Sequence, residues 1–394
     1  MEEQQDVLDE LCGIAEEHQA DLVLIAGDIF DTFNPPAEAV ELLYRTLHRL
    51  SGGGLRPVLV IAGNHDSPDR IESADPLARL SGIFFIGYPG TVIRKTVLES
   101  GWEIDAPEAG ILLLRRSGSP EVRLIATPYA GEVRLRKAID PGKSEEQIRQ
   151  ILRDHWAALA AKYCDTKGIN LLMAHLFAAE QGSLPFEELQ EEEGERSILH
   201  PGGLELIPFS AFPPPVQYVA LGHLHRPSLA KAGGRLICYS GTPLAYSLSE
   251  AEQRKRLVLV EAEPGKPVSA ESIPLERGRK IRRGSFDSLE KALLWLGEHH
   301  EDYVEVTMEV DNYLEAGVRD AILEAHPRVL AVVPEIRDRE ALFDGKRKEM
   351  DLHAPVASLF IEYFRSRNGG ADPEPELVGL LSEALAAAGA EEES

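Results

Sequence analysis

Two unbroken apolar runs, Leu22-Val23-Leu24-Ile25-Ala26 and Val58-Leu59-Val60-Ile61-Ala62, are each followed at once by a glycine, Gly27 or Gly63. A short continuous apolar run ended by a turn residue predicts a strand buried on both faces, as in a parallel sheet. Ahead of the first run, Val7, Leu8, Leu11, Ile14 and Ala15 recur at helical spacing and predict an amphipathic helix. Strands and helices alternate to about residue 90, the rhythm of a layered α/β sheet. Residues 91–99, 110–115 and 122–127 then read as strands separated by Gly, Pro and Ser. A helix is expected over 144–163, with Ile148, Ile151, Leu152, Trp156, Leu159 and Ala160 on one face. Strands at 169–174, 217–221, 235–239 and 256–261 imply the second half of a two-sheet sandwich.

The Pro264-Gly265-Lys266-Pro267 turn and the basic run Arg277-Gly278-Arg279-Lys280-Ile281-Arg282-Arg283 mark a boundary near residue 275. Beyond it, a helix over 288–299, an alternating strand over 303–310, a helix over 314–326 and a strand over 329–333 form a small β/α module. The pattern divides the chain into 1–275, 276–340 and 341–394. The last part holds two expected helices, 352–366 and 374–388, and the first carries a stripe of Val356, Leu359, Phe360, Tyr363 and Phe364. That stripe either packs on the preceding module or serves a partner.

The chemistry sits at the strand ends. Gly27-Asp28-Ile29-Phe30-Asp31 and Gly63-Asn64-His65-Asp66 follow the two apolar runs, His175 closes the strand near 169, and His223 and His225 follow the strand near 217. Open α/β sheets bind ligands beyond the carboxyl ends of their strands. Each motif has a plain reading by itself: Gly-Asp is turn chemistry, and His-x-His puts two side chains on one face for packing. Four such motifs in order describe the layout of a two-metal hydrolase. Phosphodiester cleavage by paired ions about 3.5–4 Å apart clamps both the attacking and the leaving oxygen. Asp28 is the candidate bridge, since its two oxygens can each face one ion. Imidazole and amide ligands without thiolates suit Mn, Fe or Zn and argue against a structural zinc. His65, followed by Asp66, reads as an imidazolium held by that carboxylate and acting as a general acid.

On Ala26 to Thr32, Pro35-Pro36, Ala62 to Ser67, Ala174-His175, Leu221 to His225 and Tyr239 to Pro243, the sequence resembles the calcineurin-like metallophosphoesterases. Within them it is most similar to the bacterial nuclease subunits of SbcD type, which work with an SMC-like ATPase of SbcC type. Asp31 fits this bacterial pattern; archaeal and eukaryotic relatives tend to have His there. The resemblance implies an α/β fold: a two-sheet metallophosphoesterase sandwich flanked by helices over 1–275, a small capping domain over 276–340 and an ATPase-docking helical tail over 341–394. It also implies two divalent ions, with manganese the expected metal. Asp28, Asn64, His175, His223 and His225 would be the ligands, and His65, Asp66 and Asp31 catalytic. Cleavage of duplex ends from 3′ to 5′, cutting of single strands and hairpins, roles in DNA repair, recombination and replication, and a homodimer within a heterotetramer follow from the same resemblance.

One family motif, a strand ending in Asp-x-His, has no counterpart before Asp28. Carried over by residue, one ion keeps Asp28, Asn64, His175 and His223, and the other only Asp28 and His225. Either the recorded chain lacks its true start or the protein is a degenerate relative; the first is expected, because losing that strand would leave its neighbour unpaired.

At 394 residues with a formal net charge of −25, the chain lacks the basic footprint usual for DNA binding. Part of the excess lies in 187–193, inside an acidic segment (182–203) expected as a loop near the site, and in 391–393. The run 277–283 is either a solvated linker or a basic contact. The metals and a partner are expected to supply much of the DNA affinity. Cys12, Cys164 and Cys238 suggest no disulfide frame, and with no membrane-length apolar run or leader a cytoplasmic enzyme is expected. Other metallophosphoesterase substrates, nucleotides or phosphoproteins, and an inactive scaffold stand as alternatives.

Overall fold

The two apolar runs form neighbouring parallel strands. The computed structural model describes residues 1–129, 145–180, 206–251, 253–311 and 314–337, with 359–361, 364, 373 and 377. In it β1 (Val23–Ile25) pairs with β2 (Val58–Ile61), Val23 opposite Val58, and β2 pairs with β3 (Ile83–Ile86). Helices α1 (Glu2–Glu17), α2 (Ala37–Ser51) and α3 (Pro68–Ser73) cover one face of this sheet. Alternation decides which side chains go where. Val58, Val60, Ile83 and Phe85 face the helices, with Cys12, Leu47, Leu50 and Ile71. Leu59, Ile61, Phe84 and Ile86 face the other way.

That second face packs on a larger mixed sheet. Its order is β12 (Ser228–Ala232), β13 (Arg235–Tyr239), β11 (Tyr218–Gly222), β8 (Ile169–His175), β7 (Val122–Thr127), β6 (Ile111–Arg115), β5 (Glu103–Asp105) and β4 (Thr96–Val97). Strands β7, β8, β11 and β13 run parallel at its centre, while the flanks are antiparallel. Ile104, Leu112, Leu114, Leu124, Leu171 and Met173 meet the first sheet, forming the core between the layers. The alternate residues Ile111, Leu113, Ile125, Leu172, Val219 and Leu221 meet helix α4 (Glu145–Tyr163) through Ile148, Leu152, Trp156 and Leu159. The layers therefore run helix, sheet, sheet, helix. This is a mixed α/β architecture, and its central strands end where β8 and β11 deliver His175 and the residues after Gly222.

Several elements differ from expectation. The strand expected over 91–99 is only Thr96–Val97, and β5, β12 and β15 (Ser269–Pro274) form where the sequence is too polar to show a strand. Strand β15 pairs with β14 (Arg256–Glu261) as a hairpin, and the short β9 (Ala178–Ala179) pairs in parallel with β10 (Ile207–Pro208). The basic run is not a solvated linker. Its second half opens β16 (Ile281–Phe286), where Arg282 pairs with Asp302 at 2.6 Å and Arg283 with Glu305 at 3.0 Å. Its first half lies on α1: Glu10 accepts the Glu276 and Arg277 backbone N–H groups, and Glu3 binds Arg279. Strand β16 lies beside β17 (Tyr303–Val310) and β17 beside β18 (Val329–Ile336), with helices Leu289–Glu298 and Ala316–Ala325 between them in the chain.

The chain divides into two compact units, Met1–Met308 with Leu314–Val333, and Glu309–Tyr313 with Pro334–Ser394. In the second, Leu359, Phe360 and Phe364 are half-buried and the two phenyl rings lie 6.1 Å apart. The acidic segment 182–203, and Val356 and Tyr363 of the tail stripe, lie outside the described residues. No helix among the described residues is long and apolar enough to cross a membrane.

Candidate metal centre

The loop after β1 turns through Gly27 into Asp28, whose backbone is left-handed at φ 50°. A buried carboxylate fixes that turn. Asp66 is fully buried, and its oxygens accept backbone N–H groups from Ile29 (3.0 Å), Phe30 (3.0 Å) and Gly63 (2.7 Å). One side chain thus holds the loops after β1 and β2 together. Burial raises its pKa against the pull of those donors, and the neighbouring Asp28 raises it further. The loops touch so closely that a side chain at Gly63 would collide with the Asp28 backbone nitrogen and carboxylate.

Asp28 Oδ1 accepts the His65 backbone N–H at 3.0 Å, while Oδ2 lies 3.2 Å from His175 Nε2. His175, at the end of β8, gives its Nδ1–H to the Ala26 carbonyl at 2.7 Å. Its Nε2 then faces Asp28 and also Asn64 Oδ1, 2.9 Å away. The same Asn64 oxygen is 3.3 Å from His223 Nδ1, and His223 holds a left-handed backbone at φ 107°. Asp28, His175 and His223 offer ligand atoms all within 4.8 Å of one another.

The electrostatics of this cluster call for positive charge. Burial alone would push the Asp28 carboxyl up, but His175, then the His65 backbone N–H, hold it well below the usual carboxylate range. Burial would lower the His175 imidazole, yet Asp28 outweighs it and raises it. A carboxylate oxygen, an amide oxygen and an imidazole nitrogen with its other nitrogen already engaged form a donor set for a borderline divalent ion. The residues present fit a metal.

The remaining expected residues are distributed around this cluster. His65 is buried, and its Nδ1 lies 3.0 Å from the Asp31 carbonyl oxygen and 3.6 Å from the exposed Asp31 carboxylate. The carboxylate near its ring is therefore that of Asp31, while Asp66 serves the backbone. His225 stands outside the three-residue group and meets Glu250, Nδ1 to Oε1 at 3.1 Å. Glu250 was not legible from sequence, because it sits in a polar stretch without a strand or motif. Tyr129, whose ring edge faces His175 at 6.2 Å, was equally silent.

A family model for calcineurin-like phosphoesterases matches residues 2–227 of this chain, which include every residue of the cluster. The chain belongs to the calcineurin-like phosphoesterase family. It is therefore a phosphoesterase-type hydrolase of a family that works with metal ions. It is 33% identical to the SbcD subunit of nuclease SbcCD from Bacillus subtilis (strain 168) over 403 residues, covering 100% of this chain and 94% of that protein. It is 28% identical to the SbcD subunit of nuclease SbcCD from Escherichia coli (strain K12) over 370 residues, covering 91% and 86%. The similarly named protein of Rhodobacter capsulatus is 33% identical over 269 residues, 66% and 60% of the two chains. The first similarity extends well past the matched phosphoesterase segment, through β16, β17 and β18 and into the tail.

Proposed function

We propose that this protein is a metal-dependent DNA nuclease subunit that acts with an SMC-like ATPase. The observation that carries the reading is the convergence of Asp28, Asn64, His175 and His223 in a chain similar from end to end to the SbcD subunit of nuclease SbcCD. We assign it 3′→5′ trimming of duplex ends and cutting of single strands and hairpins, in repair, recombination and replication. Two divalent ions, with manganese the assigned metal, would supply the clamp on the attacking and leaving oxygens of the phosphodiester. Asp28, Asn64, His175 and His223 would hold one ion, and Asp28 and His225 would serve the second.

The protein groups divide the rest of the work. Asp66 keeps the two loops in register, so that Asp28 and Asn64 stay on the same side as His175. The Asp31 carbonyl accepts the His65 Nδ1–H and so turns Nε2 outward, where the ring assists departure of the leaving oxygen. Residues 1–275 would form the nuclease sandwich, 276–340 a cap over the DNA path, and 341–394 the tail that docks on the ATPase. A homodimer within a heterotetramer, in the cytoplasm, is the assembly this reading implies. The three cysteines are free thiols, in keeping with a reducing compartment.

The test is hydrolysis of an end-labelled duplex with Mn2+ by the wild type, Asp28→Ala and His65→Ala, with bound metal measured on each. Asp28→Ala should lose activity. His65→Ala should keep its metal and lose roughly 10²–10⁴-fold in turnover, the range of general acid catalysis. Normal turnover in Asp28→Ala, or loss of metal in His65→Ala, would overturn the assignment. Cleavage of nucleotides or small phosphoesters with DNA left intact would favour a different phosphoesterase, and no hydrolysis of any kind a scaffold.

A further inference from the structure

Glu250 is 1% exposed and meets the Nδ1 edge of the His225 ring. Its carboxylate is saturated. Oε1 receives the His225 ring at 3.1 Å, the Tyr246 backbone N–H at 3.1 Å and the Ser247 hydroxyl at 3.3 Å. Oε2 receives the Thr242 hydroxyl at 2.9 Å and a close ion pair from the Lys255 ammonium. Lys255 is itself buried, and also donates to the Thr242 hydroxyl at 2.9 Å and the His225 carbonyl at 3.4 Å. A fully buried carboxylate is tolerated only with such compensation. Packing alone would be met more simply by an apolar residue. The arrangement instead sets the Lys255 ammonium, the Tyr246 N–H and neighbouring hydroxyls to fixing one acceptor against one imidazole nitrogen.

We propose that Glu250 is a positioning residue for His225: it accepts the Nδ1–H, locks the ring orientation, and leaves the Nε2 lone pair for a metal ion. A carboxylate or carbonyl behind a ligating histidine fixes its tautomer and strengthens it as a ligand. His175 has the same relation to the Ala26 carbonyl, so both histidines are oriented from behind through Nδ1. Lys255 and Thr242 act one step further back, holding the carboxylate in place. The inference rests on the metal-site reading above, with one difference: its first readout needs neither bound metal nor activity.

The experiment uses the full chain labelled with 15N-histidine, with His225→Gln assigning the signal. Long-range 15N–1H spectra of the metal-free wild type should show His225 as the Nδ1–H tautomer, and Zn2+ alone should then shift Nε2. An Nε2–H tautomer, or no Zn2+-induced shift at Nε2, overturns the proposal. Glu250→Gln has one oxygen for two sets of donors, so it should lose the uniform Nδ1–H signal. Its Zn2+ affinity at His225 should fall roughly 10–100-fold, while the His175 signal responds to Zn2+ as in wild type. An unchanged tautomer and unchanged affinity in a folded Glu250→Gln protein would also refute it. If Glu250→Gln does not fold, the wild-type tautomer alone decides. Failure to cleave DNA with these signals as expected would sink the nuclease reading and leave the role of Glu250 standing.

Discussion

Two residues of the candidate site, Asp28 at φ 50° and His223 at φ 107°, hold backbone conformations that side chains with a Cβ seldom adopt. Such conformations cost about 1–3 kcal/mol each and persist only where the surroundings impose them. At Asp28 the imposing groups are identifiable: the Asp66 carboxylate behind the loop and the Gly63 backbone pressed against it. The strain is thus local to the ligands, where a fixed geometry is useful. A different residue gives a pH test. Cys12 is 1% exposed in the helix-side core, and burial pushes its thiol from the ordinary 9.0 up to about 11. Between those values the unfolded chain has released the thiol proton and the folded chain has not. Stability therefore falls as pH rises through that window, by at most about 1.4 kcal/mol per pH unit for one group. Denaturant titrations of wild type and Cys12→Ala from pH 8 to pH 11 should show a shallower alkaline decline in the variant. Parallel curves would place the thiol's ionisation elsewhere.

Among the elements, α4 is anchored by one large side chain. Trp156 is fully buried, donates its indole N–H to Thr127 at 2.9 Å, and packs against Phe212 with ring centroids 5.4 Å apart. Trp156→Ala should lower unfolding free energy by about 3–5 kcal/mol, read from the denaturant midpoint. Trp156→Phe should lose much less, and a loss below about 1 kcal/mol in the alanine variant would contradict the packing described. That helix was legible from its apolar spacing, as were the central strands β2, β7, β8, β11 and β13, because residues buried on both faces leave continuous apolar runs. The polar strands β5, β12 and β15 left no such trace, since their pairing depends on neighbours distant in sequence. The site was legible for the same reason as the central strands: its residues follow apolar runs directly. Glu250 was not, because its meaning comes from His225, Thr242 and Lys255 meeting it in space. Whether the arginines of β16 belonged to a linker or a contact stayed open in the sequence, since charge runs do not reveal acidic partners such as Asp302 and Glu305.

For the whole molecule, the net charge of −25 and the pairing of Arg279, Arg282 and Arg283 with acidic residues leave little basic surface on that segment for phosphate binding. On the proposed reading, the ATPase partner would supply part of the DNA affinity. In the tail, replacing Leu359 and Phe360 by Glu should abolish co-purification with that ATPase while leaving the melting temperature of the phosphoesterase core within a degree or two. Burial of two such side chains is worth roughly 3–6 kcal/mol, and the substitutions add two charges to the interface. Unchanged association would assign the stripe to packing within its own unit.

The central claim is that one divalent ion binds between Asp28, Asn64, His175 and His223. Crystals of the full chain soaked in Mn2+, with data collected at the manganese absorption edge, test it most directly. The account predicts an anomalous peak within direct coordination distance of donor atoms of these four residues, absent in Asp28→Ala. A map without a peak there, or one with the ion bound away from Asp28, would contradict it.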